Sequence, residues 1–245
     1  MNTHLNRHIA VAGAYNIRDL GGYRTPTGET AWRRLLRADG LHRIDAEGMA
    51  LLVETGVVTV VDLRHDNECA EQPNPLARHE SVRYHNVSLF ADLAPTGPSS
   101  GDVLLDLYIK ALDERGAVIA QVLTLIAEAD EGAVLFHCTA GKDRTGIIAA
   151  LLLALAGVET TLILEDYALT AKMIEPMVEE LMAGARERGI DTESFRPMLA
   201  AEPLTMERTI AHIETAHGSV EDYLDGIGLD RATVAKLRNR LSGEE

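Results

Sequence analysis

Cysteine is scarce: Cys69 and Cys138 are the only two in 245 residues, too few for a disulfide framework in a chain of this length. Basic charge is scarce too. Lys and Arg number 23 against 38 Asp and Glu, a formal net charge of −15. A field of that sign repels phosphate backbones, which excludes general nucleic-acid binding. Any anionic substrate needs a local positive site that overcomes the mean field. Long apolar runs are missing. The longest, Ile147–Val158, reads IIAALLLALAGV; it falls short of the about 20 residues that span a bilayer and reads as a buried helix. The stretch Met1–Ala12 is polar, with His4, Arg7 and His8, and lacks the apolar core of a secretory signal. The histidines show no His-Glu-x-x-His spacing or other metal-ligand pattern. No repeat or low-complexity tract is present. These absences imply a soluble cytoplasmic protein in a reducing compartment, without stable membrane insertion; leaderless export stays open, as does the oligomeric state.

What is present is ordinary globular material, 46% hydrophobic and 25% charged, enough for a sizeable core. Val57–Leu63 (VVTVVDL) is a continuous β-branched run, the pattern of a strand buried on both faces of a parallel sheet. Trp32–Leu36, Val82–Phe90 and Ala133–Phe136 read as further strands. Asp45–Thr55 has helical spacing with Gly56 as its stop, and Val103–Glu114 and Ala117–Ala129 are helical. Leu93–Asp102 is the clearest loop, rich in Pro, Gly and Ser. Beyond Gly157 the chain reads as helical, interrupted at Pro176, Pro197 and Pro203, with further helices over Thr205–His217, Val220–Leu224 and Asp230–Leu241. Strands with helical crossovers imply an α/β fold: a central, mainly parallel sheet flanked by helices, with an all-helical C-terminal part. No linker is evident. The expectation is one domain over 1–245, with a helical subregion at about 165–205 that is a candidate lid.

The chemistry is concentrated in His137-Cys138-Thr139-Ala140-Gly141-Lys142-Asp143-Arg144-Thr145-Gly146, between a buried strand and a buried helix. A tight loop ending at a helix N-terminus turns several backbone N–H groups toward one point, and the helix dipole adds positive charge there. Gly141 permits a backbone conformation other residues resist. Arg144 supplies a planar fork that matches two oxygens of a phosphoryl group. The amides of Thr139, Ala140, Gly141 and Lys142 complete the cradle, with Lys142 adding charge at the pocket mouth. The same setting favours the thiolate of Cys138, a nucleophile for a cysteinyl-phosphate intermediate that water then hydrolyses. His137 would brace the loop and help hold the thiolate. Thr145 would donate its hydroxyl to the sulfur as it leaves.

This segment resembles the Cys-x5-Arg signature of the cysteine-dependent protein tyrosine phosphatase superfamily. Its longer form, His-Cys-x-x-Gly-Lys-Asp-Arg-Thr-Gly, is similar to the atypical bacterial and fungal branch. Asn16-Ile17-Arg18-Asp19-Leu20-Gly21-Gly22-Tyr23, Val61-Asp62-Leu63-Arg64 and Gly218-Ser219-Val220-Glu221-Asp222-Tyr223-Leu224 also resemble that branch, so the likeness runs nearly the whole chain. It implies a phosphatase acting on phosphotyrosine, in some members also on phosphoserine, phosphothreonine or phosphoinositides, with no metal or organic cofactor. Its partners are then phosphorylated proteins or phosphoinositides. Thr139 stands where phosphoinositide-selective relatives often carry Lys, which weighs against lipid substrates.

The leaving alcohol needs a proton donor. Relatives that use a mobile Trp-Pro-Asp loop find it there, but this chain has a single Trp, Trp32, and no such loop. Asp143, inside the cradle, is the first candidate; its alternative role is to orient Arg144 or the loop. Asp62 is second, at the end of a parallel strand; its alternative role is a hydrogen bond to the loop or to Arg18. Asp92 is third. Other readings of the loop fare less well. A nucleotide-binding Walker loop fails, since Phe136 stands where Gly is needed and Asp143 replaces Ser or Thr. A rhodanese-like sulfurtransferase has a shorter loop. A phosphate-binding pseudophosphatase usually lacks the Cys or the Arg, and both are here. The last two remain the alternatives. Cys69, in an acidic setting, reads as a structural or surface thiol.

Overall fold

The computed structural model describes residues 7–90, 93 and 102–243. Asp92 and the loop interior at 94–101 lie outside the described residues. The strands are β1 (Arg18–Asp19), β2 (Arg24–Thr25), β3 (Gly28–Glu29), β4 (Leu35–Ala38), β5 (Val57–Asp62), β6 (Arg83–Asn86) and β7 (Ala133–His137). The helices are α1 (Ala46–Glu54), α2 (Asp66–Glu71), α3 (Val103–Glu114), α4 (Gly116–Ala127), α5 (Asp143–Leu155), α6 (Thr160–Met173), α7 (Val178–Glu187), α8 (Thr192–Phe195), α9 (Pro203–His217), α10 (Val220–Gly226) and α11 (Arg231–Ser242).

Five strands form one sheet in the order β1-β4-β7-β5-β6. Only the β1–β4 pairing in it is antiparallel; β4–β7, β7–β5 and β5–β6 run parallel. The last strand in sequence thus enters between two earlier ones. Successive residues of β7 face opposite layers. Val134 and Phe136 join a core with α3, α4, α5 and the C-terminal helices, while Ala133 and Leu135 join a second core with Leu36, Val60 and Leu52 of α1. Burial on both faces explains why β5 and β7 lack polar alternation. Helix α5 follows β7 after one short loop and is buried from Thr145 through Leu153, which accounts for the longest apolar run. No helix among the described residues is long and apolar enough to cross a membrane.

The fold is the expected mainly parallel α/β arrangement with an all-helical C-terminal part. Its boundaries differ in places for physical reasons. Arg33 adopts φ +61, so no strand runs from Trp32; pairing starts at Leu35, and Trp32 lies against Gly21 and Gly22 at 45% exposure. Pro203 begins α9 at its first turn instead of breaking a helix, a position where its missing N–H costs nothing. Near the C-terminus, Ser219 caps α10 by accepting from Asp222 N–H, and the buried Tyr223 donates its hydroxyl to Leu112 O at 3.0 Å. That bond fixes the C-terminal helices against α3.

Candidate active site

The turns that follow β4, β5 and β7 meet at the C-terminal end of the sheet. Between β7 and α5 the chain makes one tight loop, Cys138 to Lys142, and the carbonyls from Cys138 to Gly141 all face outward. Cys138 O accepts from His137 Nδ1 at 3.0 Å, and Thr139 O from Gly40 N–H at 2.9 Å. Ala140 O accepts from Asn16 Nδ2 at 2.9 Å, and Gly141 O from Arg37 Nη2 at 2.7 Å. In a planar trans peptide the N–H points opposite to the carbonyl. The N–H groups of Thr139, Ala140, Gly141 and Lys142 therefore turn to the opposite side, and among the described residues none of them has an acceptor. The first-turn N–H groups of α5 add to this set. Gly141 is required: it adopts φ +65, and a Cβ there would meet Ala38 O at 2.5 Å.

The groups that brace the loop are themselves buried and charged. Asp39 accepts from Tyr15 N–H at 3.1 Å and from Asn16 N–H at 2.9 Å, which aims the Asn16 amide at the loop. Arg37, the donor to Gly141 O, pairs with Asp166 of α6, as does Arg18 at 3.3 Å. Tyr23 donates to the same carboxylate at 3.0 Å. Arg18 therefore serves Asp166 and is no partner of Asp62. Burial opposes the charge on Asp166, and the two guanidiniums outweigh it, so its carboxyl lies well below the ordinary 3.8. Asp166→Asn, which leaves two buried guanidiniums sharing no anion, is expected to cost about 3–5 kcal/mol, read as a lower urea midpoint. The lowered carboxyl also sets the sign with pH. Its contribution is full above about pH 4, where the unfolded carboxyl is ionised, and is lost as pH falls through the lower folded value.

Asp62 sits under the loop with 0% exposure. Its oxygens accept from Arg64 Nη2 at 2.7 Å and Tyr84 Oη at 2.8 Å, and His137 Nε2 lies 3.3 Å away. Burial opposes its charge, and His137 and Arg64 outweigh that, holding the carboxyl far below the usual range. So placed, Asp62 lies against His137 at the loop base, and its oxygens are engaged by Arg64 and Tyr84. Cys69 Sγ contacts Asp62 Oδ2 at 3.7 Å, and its thiol is pushed up by burial first and by Asp62 second.

Cys138 opens the cradle at 2% exposure. Burial opposes the charge on Arg144, but Cys138, Glu68 and Asp143 more than offset it. Arg144 Nη1 and Nη2 contact the two Glu68 oxygens at 2.6 and 3.0 Å. Thr139 Oγ1 donates to Glu68 and accepts from Arg144 Nη2 at 3.2 Å. Burial would raise the Glu68 carboxyl, yet the hydrogen bonds from Arg144 and Thr139 bring it down to about 2. Glu68 was not anticipated from the sequence. The one local signal is its spacing from His65, whose N–H donates to Glu68 Oε2 at 2.9 Å as in a helix-capping pair. Thr145 Oγ1 is buried with no partner among the described residues.

Lys142 differs from expectation. It is buried, and its ammonium donates to Met198 O and to Ala200 O at 2.9 Å, so it tethers the helical subregion and does not stand at the pocket mouth. Ala140 is covered by Ile174 and Met177 from the same subregion. Asp143 begins α5 with its side chain 28% exposed; its Oδ1 accepts from Tyr108 Oη and lies 3.1 Å from Lys142 Nζ. Among the described residues no group of three His, Cys, Asp or Glu forms a metal site.

A parallel sheet carrying a Cys-and-Arg anion cradle between its central strand and a buried helix is the architecture of a phosphoric monoester hydrolase. The chain belongs to the tyrosine phosphatase family, which it matches over residues 9–243. It is 34% identical to a tyrosine-protein phosphatase of Nostoc commune over 215 residues, 84% of this chain and 73% of that one. It is 28% identical to the triple specificity protein phosphatase PtpB of Mycobacterium tuberculosis across 94% of this chain and 98% of that one.

Proposed function

We propose that the protein hydrolyses phosphotyrosine through a cysteinyl-phosphate intermediate on Cys138. The observation that carries this reading is the loop itself, in which every carbonyl from Cys138 to Gly141 is tied outward, leaving four consecutive N–H groups for an anion. The phosphoryl oxygens take those amides and the Nε edge of Arg144, since Glu68 holds the two terminal nitrogens. Preorganised donors of this kind stabilise the equatorial oxygens as charge spreads over them. Thr145 supplies a hydroxyl to the departing sulfur. The chain acts as a single phosphatase domain, and the subregion at about 165–205 acts as its lid. Three anchors support the lid reading: Ile174 and Met177 over Ala140, the Lys142 tether, and Glu180 against Arg43 Nη1 at 2.8 Å. A reduced Cys138 suits a cytoplasmic setting.

The relative PtpB is named for triple specificity, which supports a range extending to phosphoserine and phosphothreonine. With the Lys142 ammonium committed to backbone carbonyls, the site lacks the cation that favoured inositide head groups, and phosphoproteins are the preferred class. Phosphate release without added metal, over a panel of phosphopeptides and phosphoinositides, tests this ranking. Faster release from the lipids would reverse it.

Asp143 is the proposed general acid. Asp143→Asn should slow phenyl phosphate roughly 100-fold while p-nitrophenyl phosphate, whose leaving group needs less protonation, loses far less. The basic limb of turnover against pH should flatten. Equal losses for both substrates would remove Asp143 from that role.

A further inference from the structure

The two oxygens of Asp143 differ in their surroundings. Oδ1 accepts from Tyr108 Oη and faces Lys142 Nζ at 3.1 Å, whereas Oδ2 has no hydrogen-bond partner among the described residues. Tyr108 is fully buried on α3 and has one hydroxyl proton, which goes to Asp143. The Tyr167 hydroxyl, 2.8 Å away on α6, must then donate to Tyr108. The rings meet edge to face, with centroids 6.4 Å apart at 88°. Burial, then Asp143, pushes both phenols well above their ordinary range, so both remain donors.

We propose that Tyr108, backed by Tyr167, is a positioning residue for the hydrolysis: it saturates Oδ1 of Asp143 so that Oδ2 carries the transferable proton. The inference rests on the reading of Asp143 as the acid. An oxygen already accepting from a hydroxyl and lying 3.1 Å from an ammonium is the poorer proton site, and the Tyr108 hydrogen bond holds the carboxyl from turning. In the first step the Cys138 sulfur bonds to phosphorus and the P–O bond to the leaving group breaks. Its electron pair stays on the leaving oxygen, which takes the proton from Oδ2. In the second step Oδ2 takes a proton from water as the water oxygen bonds to phosphorus. The S–P bond then breaks with its pair returning to sulfur.

The test is Tyr108→Phe in the full chain, assayed on phenyl and p-nitrophenyl phosphate. The phenyl phosphate kcat should fall roughly tenfold with KM unchanged, and the p-nitrophenyl phosphate kcat should stay within about twofold. In an Asp143→Asn background the same change should add no leaving-group dependence. Tyr167→Phe, which keeps the Tyr108 donation but removes its backing, should show the same selectivity at about threefold and serves if Tyr108→Phe does not fold. If Asp143→Asn shows leaving-group dependence and the tyrosine variants do not, the positioning inference is overturned alone. If Asp143→Asn shows none, the acid reading falls and takes this inference with it.

Discussion

Cys138→Ser is expected to lose turnover by roughly 10^4-fold or more while still binding inorganic phosphate. The substitution exchanges one atom for another of the same valence at a nearly buried position, so the loop and its outward carbonyls should persist. What disappears is the proposed sulfur nucleophile. An alcohol at this site would need a base to remove its proton, and the neighbouring His137 is not free to do so. His137 donates through Nδ1 to Cys138 O, and its Nε2 faces Asn74 and Asp62 beneath the loop. Single-turnover assays on p-nitrophenyl phosphate give the chemical loss, and calorimetric titration with phosphate gives the binding. Turnover within tenfold of the unsubstituted protein would exclude a covalent sulfur intermediate. Lost phosphate binding with an intact fold would instead mean that the sulfur, not the amides, holds the anion.

The parts legible in the sequence are those whose physics is local. Strands β5 and β7 announce themselves because both faces are buried, which forces a continuous apolar run. The loop announces itself because cysteine, glycine, arginine and helix start lie within one short segment. Strand β1 gave no such signal. It is two residues, Arg18 and Asp19, and Arg18 is buried only because Asp166, 148 positions away, neutralises it. Helix α2 is short and polar, so periodicity has nothing to act on.

The same rule divides the site. Glu68 lies 76 positions from Arg144, Arg37 lies 104 from Gly141, and Asn16 lies 124 from Ala140. Each matters only through a fold that brings three strand ends together. Lys142 shows the opposite failure. Residue type and neighbourhood make it look like a substrate cation, but its ammonium is directed to the Met198 and Ala200 carbonyls. Asp62 is similar: the end of a parallel strand is a productive place for an acid, yet Arg64, two residues on, folds back onto it and joins Tyr84 in filling its oxygens.

Arg144→Lys is expected to lower kcat/KM roughly 10^3-fold although the charge is kept. The reason is geometric. A guanidinium has two usable edges, and here each has a distinct partner: Glu68 takes Nη1 and Nη2, and the proposed phosphoryl group takes the Nε side. An ammonium is one point and cannot serve both. Placed against Glu68, which is ionised down to about pH 2 through its bonds to Arg144 and Thr139, a lysine would pair with that carboxylate and leave the anion unbound. This gives a way to separate charge from shape. Glu68→Gln in the Arg144→Lys background removes the competing carboxylate and should recover part of the lost oxyanion affinity, read as a lower KM and tighter vanadate inhibition. It should recover little kcat, since the two-edged fork is still missing. Glu68→Gln alone keeps one acceptor for the guanidinium, and its loss should be far smaller than that of Arg144→Lys. If Arg144→Lys alone retains wild-type kcat/KM, fork geometry is irrelevant and Arg144 acts as a point charge. If Glu68→Gln alone equals Arg144→Lys in its damage, holding the guanidinium in place is the dominant requirement.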